Sequence, residues 1–580
     1  MHMNKNIARL AVTAGLTAAL SFGGVMAPVT MAFAECVPTV ATENGKVFIT
    51  DPDTKYTDTS FKGIQIFKAT VTQNKDGNTW SGDKTLSDID WASPEVQKAV
   101  IGAFTRVDGA PRTDTSAQAW AKYINDHAGD KVGQTAKVDA DSTLDKIAAA
   151  LEGSNLTWTK PSDSSKGNFE SLDQGYWLFV TDVPSKTGDT DAYTSPIFTI
   201  VGGSDVNVAP KKSVPNVTKA VKDDNNGSFV TDESKNVFEA PNRVADSASD
   251  QLIEYQLAGT VASNINTYKE YSYTFTDVLP STMVPELVND KPVVKVKIGD
   301  KTVEPKYYDA QYNTAKNELV VSFGNLKKEI KSDKDEVITV SGSSKIYVNY
   351  KAKLDPTKVK ADMLGKGQKN TVTLTYSNNP HSTETGTTVV HPAYDYTYGI
   401  DVTKVGDEET PKKLSGVVFK LQEKNGGTVE DEYIDANGVK QANAENAKLT
   451  TTEDGKISVI GLDEGTYVLT EVTPAPGYDN SHGNKGITFT ITRGTLSESD
   501  ATVVNPAVAV TDGDNTGLVK AENSTDGMVH LTVTDKKGSG LPLTGLNGVT
   551  FTWIAGGAVL VIGVAHLIRS RKQAEESEQE

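Results

Sequence analysis

Cysteine is nearly absent from this sequence: Cys36 is the single one in 580 residues. No internal disulfide can close, so an exported chain of this length must resist its surroundings by other means. Cys36 reads as a free or incidental thiol. Basic charge is also short, with 58 Lys and Arg against 76 Asp and Glu and a net charge of -18. That balance excludes nucleic acid as a partner, since phosphate binding needs basic patches, and it suits an exposed, soluble surface. The 7 histidines are scattered and form no HExxH pair, and there is no GxSxG elbow, so the common hydrolase signatures are missing. A stretch from Asp512 starts like a calcium loop but puts Asn523 where a bidentate glutamate belongs, so no metal is assigned and no cofactor is expected.

Long apolar runs are confined to the two ends. Lys5 and Arg9 precede an apolar stretch from Leu10 to about Met31, closed by "AFA", which predicts a signal peptide over 1–34 cut after Ala34. Glu35 separates that cut from Cys36, which argues against a lipid-modified cysteine. Near the other end Val549–Ile568 carries no formal charge and has roughly the 20-residue length of a membrane-spanning helix. Arg569, Arg571 and Lys572 follow, so the positive-inside rule places the C-terminus in the cytoplasm and the rest of the mature chain outside.

Between the ends there is length for three or four domains. Residues 35–212 mix strands, such as "FKGIQIFKATV" and "GYWLFVTDV", with three helix candidates. "SPEVQKAVIGAF" has Ser93 as N-cap and Pro94 at the first helical position, "DSTLDKIAAALEG" has the Ser142 to Asp145 capping spacing and Gly153 as a stop, and "TSAQAWAKYINDHAG" is the third. After Pro210 the helical patterns almost vanish. Residues 213–395 and 396–537 show short alternating runs separated by Gly, Asn, Asp and Pro at the spacing of β-sandwiches. The expected fold is therefore mainly β.

Strand parity then puts polar groups on the apolar faces, because residues i, i+2 and i+4 share one face. Lys219 shares a face with Val217 and Val221, and Asp277 with Tyr271, Tyr273 and Phe275. Asn370 and Asn378 both align with Val372, Leu374 and Tyr376. In the third region Lys404 goes with Ile400 and Val402, Glu471 with Tyr467 and Leu469, and Asp535 with Val529, Leu531 and Val533. Wet strand ends would explain such tips without consequence. A buried lysine, by contrast, tends to a neutral, nucleophilic amine, and a buried carboxyl to a neutral acid that can pass protons.

"GTYVLTEVTPAPGY" resembles the E-box of Gram-positive pilins, "LPLTG" with its apolar tail resembles a sortase sorting signal, and "YTFTDVLP" resembles the aspartate motif of their middle domains. Taken together the chain resembles a sortase-assembled major shaft pilin of the SpaA or FimA type. The resemblance implies three tandem immunoglobulin-like domains: 35–212, with helical insertions and ending in a pilin-like motif, a CnaA-like 213–395 and a CnaB-like 396–537. A sorting signal, transmembrane helix and basic tail follow over 538–580.

In such pilins a first-strand lysine bonds covalently to a late-strand asparagine with a nearby acid as catalyst. The matching sets are Lys219, Asp277 and Asn370, with Asn378 as runner-up, and Lys404, Glu471 and Asp535, where aspartate replaces the usual asparagine. The sorting signal, Leu541, Pro542, Leu543, Thr544 and Gly545, implies cleavage after Thr544 and transfer to a lysine of the next subunit. "SDVNVAPKK" resembles the motif supplying that lysine, with Ala209 in place of the usual tyrosine; Lys211 is the choice over Lys212. The implied partners are pilus-type and housekeeping sortases, identical subunits in a covalent homopolymer, minor pilins, peptidoglycan and, on the host side, a glycan or matrix protein. The implied location is the cell wall and surface fimbria, after transient membrane anchoring. No enzymatic activity beyond self-crosslinking is expected, and a wall-anchored adhesin that never polymerises is the alternative reading.

Overall fold

The structure is a computed structural model that describes residues 37–538 apart from 51–57, 129–130, 133–134, 137, 163–165, 185–190, 211, 223–228, 230–242, 480–482, 494–506 and 512–516. The signal peptide, Cys36, Lys211, the Asp512 loop start, the LPLTG segment and the apolar tail lie outside the described residues. Among the described residues no helix is long and apolar enough to cross a membrane.

In the N-terminal region one sheet runs in the order Val37–Val40, Ser60–Asp76, Gly175–Val183, Ile197–Val201, with Thr79–Trp91 also paired to Ser60–Asp76. Helices Pro94–Gly102, Ala117–Asp126 and Thr143–Glu152 cover one side of it. Each starts at a serine, Ser93, Ser116 or Ser142, whose hydroxyl accepts a hydrogen bond from a first-turn amide and so satisfies one of the donors a helix start leaves open. Val100, Phe104, Trp120, Ile147 and Leu151 pack there against Ile66, Val71 and Leu178. A second small sheet, Gly45–Ile49 between Val206–Val208 and Asn168–Leu172, joins Trp177 and Phe179 in a separate apolar cluster. Gly175–Val183 is therefore covered on both sides, which accounts for the unbroken hydrophobicity of "GYWLFV".

The next region is a two-sheet sandwich. One sheet runs Val217–Lys222, Ile253–Thr260, Lys345–Leu354, Val294–Ile298; the other runs Val244–Asp246, His391–Tyr396, Gln368–Ser377, Tyr273–Val278, Glu318–Phe323, Asp309–Asn313. Alternate residues of Val217–Lys222 and Ile253–Thr260 are buried, the period-two signature of a strand packed on one face. The last region is a second sandwich. Lys456–Leu462, Tyr398–Gly406 and Met528–Lys537 lie side by side in one sheet, and Val418–Asn425, Gly465–Thr473 and Ile487–Thr492 in the other.

The regions are closely joined. Strand His391–Tyr396 of the middle sandwich passes into Tyr398–Gly406 of the last through Thr397 alone, and Asp246 accepts hydrogen bonds from Tyr398 and Arg493 across that junction. At the other junction the Tyr376 hydroxyl donates to the Asp191 carbonyl at 2.9 Å. Nearby, His381 of the middle region lies between Asp145 and Glu152 of the third helix.

Candidate functional site

Two buried lysines, one in each sandwich, sit against carboxyl groups. Lys219 enters its core because Val217 and Val221, on the same parity, are both buried. Its strand pairs antiparallel with Ile253–Thr260, placing Lys219 opposite Leu257, and the next strand brings Tyr350 opposite Tyr255. Those two rings stack with centroids 5.3 Å apart, and the lysine amine lies 5.0 Å and 5.3 Å from them. Asp277 and Asn370 come from the facing sheet, on neighbouring antiparallel strands.

The amine contacts the Asp277 carboxylate and donates to the Tyr350 hydroxyl at 3.0 Å. That hydroxyl donates to Asp277 Oδ1 at 2.9 Å and accepts from Asn370 Nδ2 at 2.8 Å. Lys219, Asp277 and Asn370 are all fully buried, and Asn370 Oδ1 has no hydrogen-bond partner among the described residues. Burial pulls the lysine down to about 8 against the attraction of Asp277, and burial pushes the Asp277 carboxyl up against the pull of Lys219. Both shifts favour a neutral amine beside a protonated acid, the pair needed to attack a carboxamide and expel its nitrogen.

Asn378 shares the parity of Asn370 but lies eight residues further along the chain, about 27 Å at the rise of a strand. It belongs to the junction with the N-terminal region, where its carbonyl accepts from the Tyr193 amide at 2.7 Å. Of the two asparagines, Asn370 is the one that shares the Tyr350 hydroxyl with Lys219.

The second centre is wired differently. Tyr398–Gly406 and Met528–Lys537 are parallel neighbours in one sheet, with Lys404 opposite Val533 and Gly406 opposite Asp535. Lys404 and Asp535 therefore meet within a sheet, while Glu471 reaches them from the facing one. The amine contacts Asp535 and lies 2.8 Å from Glu471 Oε2, with all three side chains buried and the Phe419 ring 5.7 Å from the amine. Burial raises the Glu471 carboxyl against the pull of Lys404, and burial raises Asp535 in the same way. The two acids also crowd each other, and the negative charge of Asp535 raises Glu471 further. One proton held between two crowded carboxyls leaves one of them a neutral acid, the form that condenses with an amine.

Sequence reasoning missed Tyr350, Tyr255 and Gly483. Tyr350 has the parity of Ile346 and Val348, so it reads as one more core aromatic, and nothing in the sequence marks its hydroxyl. A Cβ on Gly483 would stand 2.6 Å from Glu471 Oε2, so this glycine leaves the space the carboxylate occupies.

In the N-terminal region Val206, Val208 and Pro210 are buried, and the strand Val206–Val208 ends before the paired lysines. Lys212 is held in place: its amine is 3.3 Å from Asp191 Oδ1 and 3.3 Å from the Thr59 hydroxyl, with its side chain 5% exposed. The other buried lysine there, Lys84, is lowered to about 8 by burial against Asp205 and donates to the backbone carbonyls of Ile200 and Ser204. Backbone carbonyls offer no leaving group, so these contacts give it no carboxyl or carboxamide to bond.

Residues 399–506 match the family model of the SpaA prealbumin-like fold domain. No curated protein matches the chain. Among solved structures it is similar to the full-length major pilin SpaD from Corynebacterium diphtheriae, at 15% identity over 85% of this chain and 98% of that one with a TM-score of 0.45. It is also similar to the T6 backbone pilin of serotype M6 Streptococcus pyogenes, at 13% identity over 86% and 99% with a TM-score of 0.47. A third is the full-length major pilin RrgB from Streptococcus pneumoniae, at 13% identity over 66% and 88% with a TM-score of 0.38.

Proposed function

We propose that this chain, whose residues 399–506 match the SpaA prealbumin-like domain, is the shaft subunit of a covalently polymerised surface pilus, hardened by two self-formed amide bonds. The observation that carries the reading is the pair of buried lysine centres in successive sandwiches, each with an acid and a carbonyl partner. Folding holds amine and acceptor together, which replaces a bimolecular encounter by an intramolecular one. In the middle domain the Lys219 amine attacks Asn370 and ammonia leaves. In the last domain Lys404 condenses with Asp535 and water leaves, Glu471 carrying the proton. Neither bond can be reduced, which suits a chain without disulfides.

Polymerisation uses the sorting signal that follows the last domain and the lysine pair that closes the first. A sortase cuts after Thr544, holds its carbonyl as a thioester and passes it to Lys211 of the next subunit. Lys212 is the poorer acceptor, since its amine is tied to Asp191 and Thr59. The pilus-type sortase builds the fibre, the housekeeping sortase attaches it to peptidoglycan, and the membrane segment holds the chain until cleavage. Domains 35–212, 213–395 and 396–537 are the successive units of each subunit.

The test is a denaturing gel of wall extracts. Wild type gives a high-mass ladder, and Lys211→Ala leaves anchored monomer alone, because peptidoglycan precursor still accepts Thr544. Monomer alone in wild type would favour an adhesin that never polymerises. A ladder that persists in the Lys211→Ala, Lys212→Ala double variant would place the acceptor elsewhere.

A further inference from the structure

We infer that Tyr350 is a catalytic residue of the middle domain, a proton relay that carries the proton of Asp277 to the departing nitrogen of Asn370; this rests on the self-crosslinking reading above. The argument is geometric. The acid contacts the lysine, yet the nitrogen that must leave as ammonia, Asn370 Nδ2, is hydrogen-bonded to Tyr350. The tyrosine oxygen is 2.9 Å from Asp277 Oδ1 and 2.8 Å from Nδ2, so one hydroxyl connects the acid to the leaving group. In the last domain Glu471 and Asp535 both lie against the Lys404 amine itself, so the acid and the acceptor meet at the nucleophile without an intermediary. Phe419, not a tyrosine, lies beside that amine.

The steps balance through these contacts. Asp277 takes one proton from the Lys219 ammonium, leaving a neutral amine and a neutral acid. The amine attacks Asn370 Cγ and the carbonyl electrons move to Oδ1, giving a tetrahedral centre with a positive attacking nitrogen. Asp277 gives its proton to the Tyr350 oxygen as Tyr350 gives its own to Nδ2. The C–Nδ2 bond breaks with its electron pair on nitrogen, the C=O bond reforms, and ammonia departs. The attacking nitrogen then returns a proton to Asp277. An ammonium, a carboxylate and a carboxamide have become an amide, a carboxylic acid and ammonia, and Tyr350 is unchanged. Burial raises the phenol well above its ordinary value, so it enters the sequence protonated.

The experiment is pulse-chase cell-free synthesis of residues 35–537, with intact mass followed in time for wild type, Tyr350→Phe and Asn370→Ala. Phenylalanine keeps the ring stacked on Tyr255 and removes only the oxygen. Loss of ammonia should slow by about 100-fold or more, the range of a positioned acid–base group. Loss of water in the last domain should continue at the wild-type rate, and the unbonded Tyr350→Phe protein should melt within a few degrees of Asn370→Ala. Ammonia loss at the wild-type rate would overturn the relay. A Tyr350→Phe protein melting well below Asn370→Ala would also overturn it, by assigning the hydroxyl to folding. A wild-type chain that never loses ammonia would instead overturn the crosslinking reading itself.

Discussion

Replacing Asp277 by alanine removes the acid of the middle domain while the acceptor and the nucleophile stay in place. The expected result is a chain whose mass regains one ammonia but still lacks one water, because Glu471 serves the other centre. The missing bond would have closed a loop of roughly 150 residues, which in the chain-entropy account is worth about 5 kcal/mol at 25 °C. For a domain of this size that corresponds to a fall in Tm of about 10 to 20 °C. Asp277→Ala also strands the buried Lys219 amine, so Asn370→Ala, which keeps the Lys219 and Asp277 pair, isolates the contribution of the bond. Intact-mass spectrometry and scanning calorimetry of residues 35–537 measure both effects. Ammonia lost as usual from the Asp277→Ala chain would refute the catalytic role. Restored mass with an unchanged Tm in Asn370→Ala would refute the stabilising one.

Gly483→Ala should drive a methyl group into Glu471 and leave much of the last domain unbonded, read as retention of one water by intact mass; full bonding would show that Glu471 tolerates displacement. Asp191→Ala should release Lys212, so peptide mapping of fibres should find a minor Thr544 junction on Lys212 that wild type lacks. His381 supplies a pH test: burial alone would lower it, but its bonds to Asp145 and Glu152 prevail and raise it to about 9. A folded value above the ordinary 6.5 means that its contribution to the junction is complete below pH 6.5 and is lost as pH rises through about 9. An NMR titration of His381 should show a midpoint near 9 in the intact chain and, with only burial left, one below the ordinary 6.5 in Asp145→Ala, Glu152→Ala; a midpoint at or below 6.5 in the intact chain would refute the role of the two acids.

Much of this was legible from local rules. Serine caps and the apolar spacing behind them mark the helices after Ser93 and Ser142, because cap geometry depends on neighbours in sequence, and the third helix proves to start at a serine too, Ser116. Parity brings Lys219, Asp277, Asn370, Lys404, Glu471 and Asp535 inward, because a one-residue slip would turn a whole strand inside out. What parity cannot supply is the partner across the core. It leaves Asn370 and Asn378 equivalent, whereas the structure separates them by the length of the strand. Parity also gives no hint that Lys219 meets a facing sheet while Lys404 and Asp535 lie in the same one, since strand order is set by pairings far apart in sequence. Tyr350 hid among core aromatics because periodicity registers its ring and not its hydroxyl.

The central claim, that subunits are joined covalently head to tail, is tested most directly by tandem mass spectrometry of protease digests from wild-type fibres. The account predicts a branched peptide in which the Thr544 carboxyl is bonded to the side-chain nitrogen of Lys211. Recovery of Thr544 only on peptidoglycan peptides, with the Lys211 peptide unmodified, would contradict it.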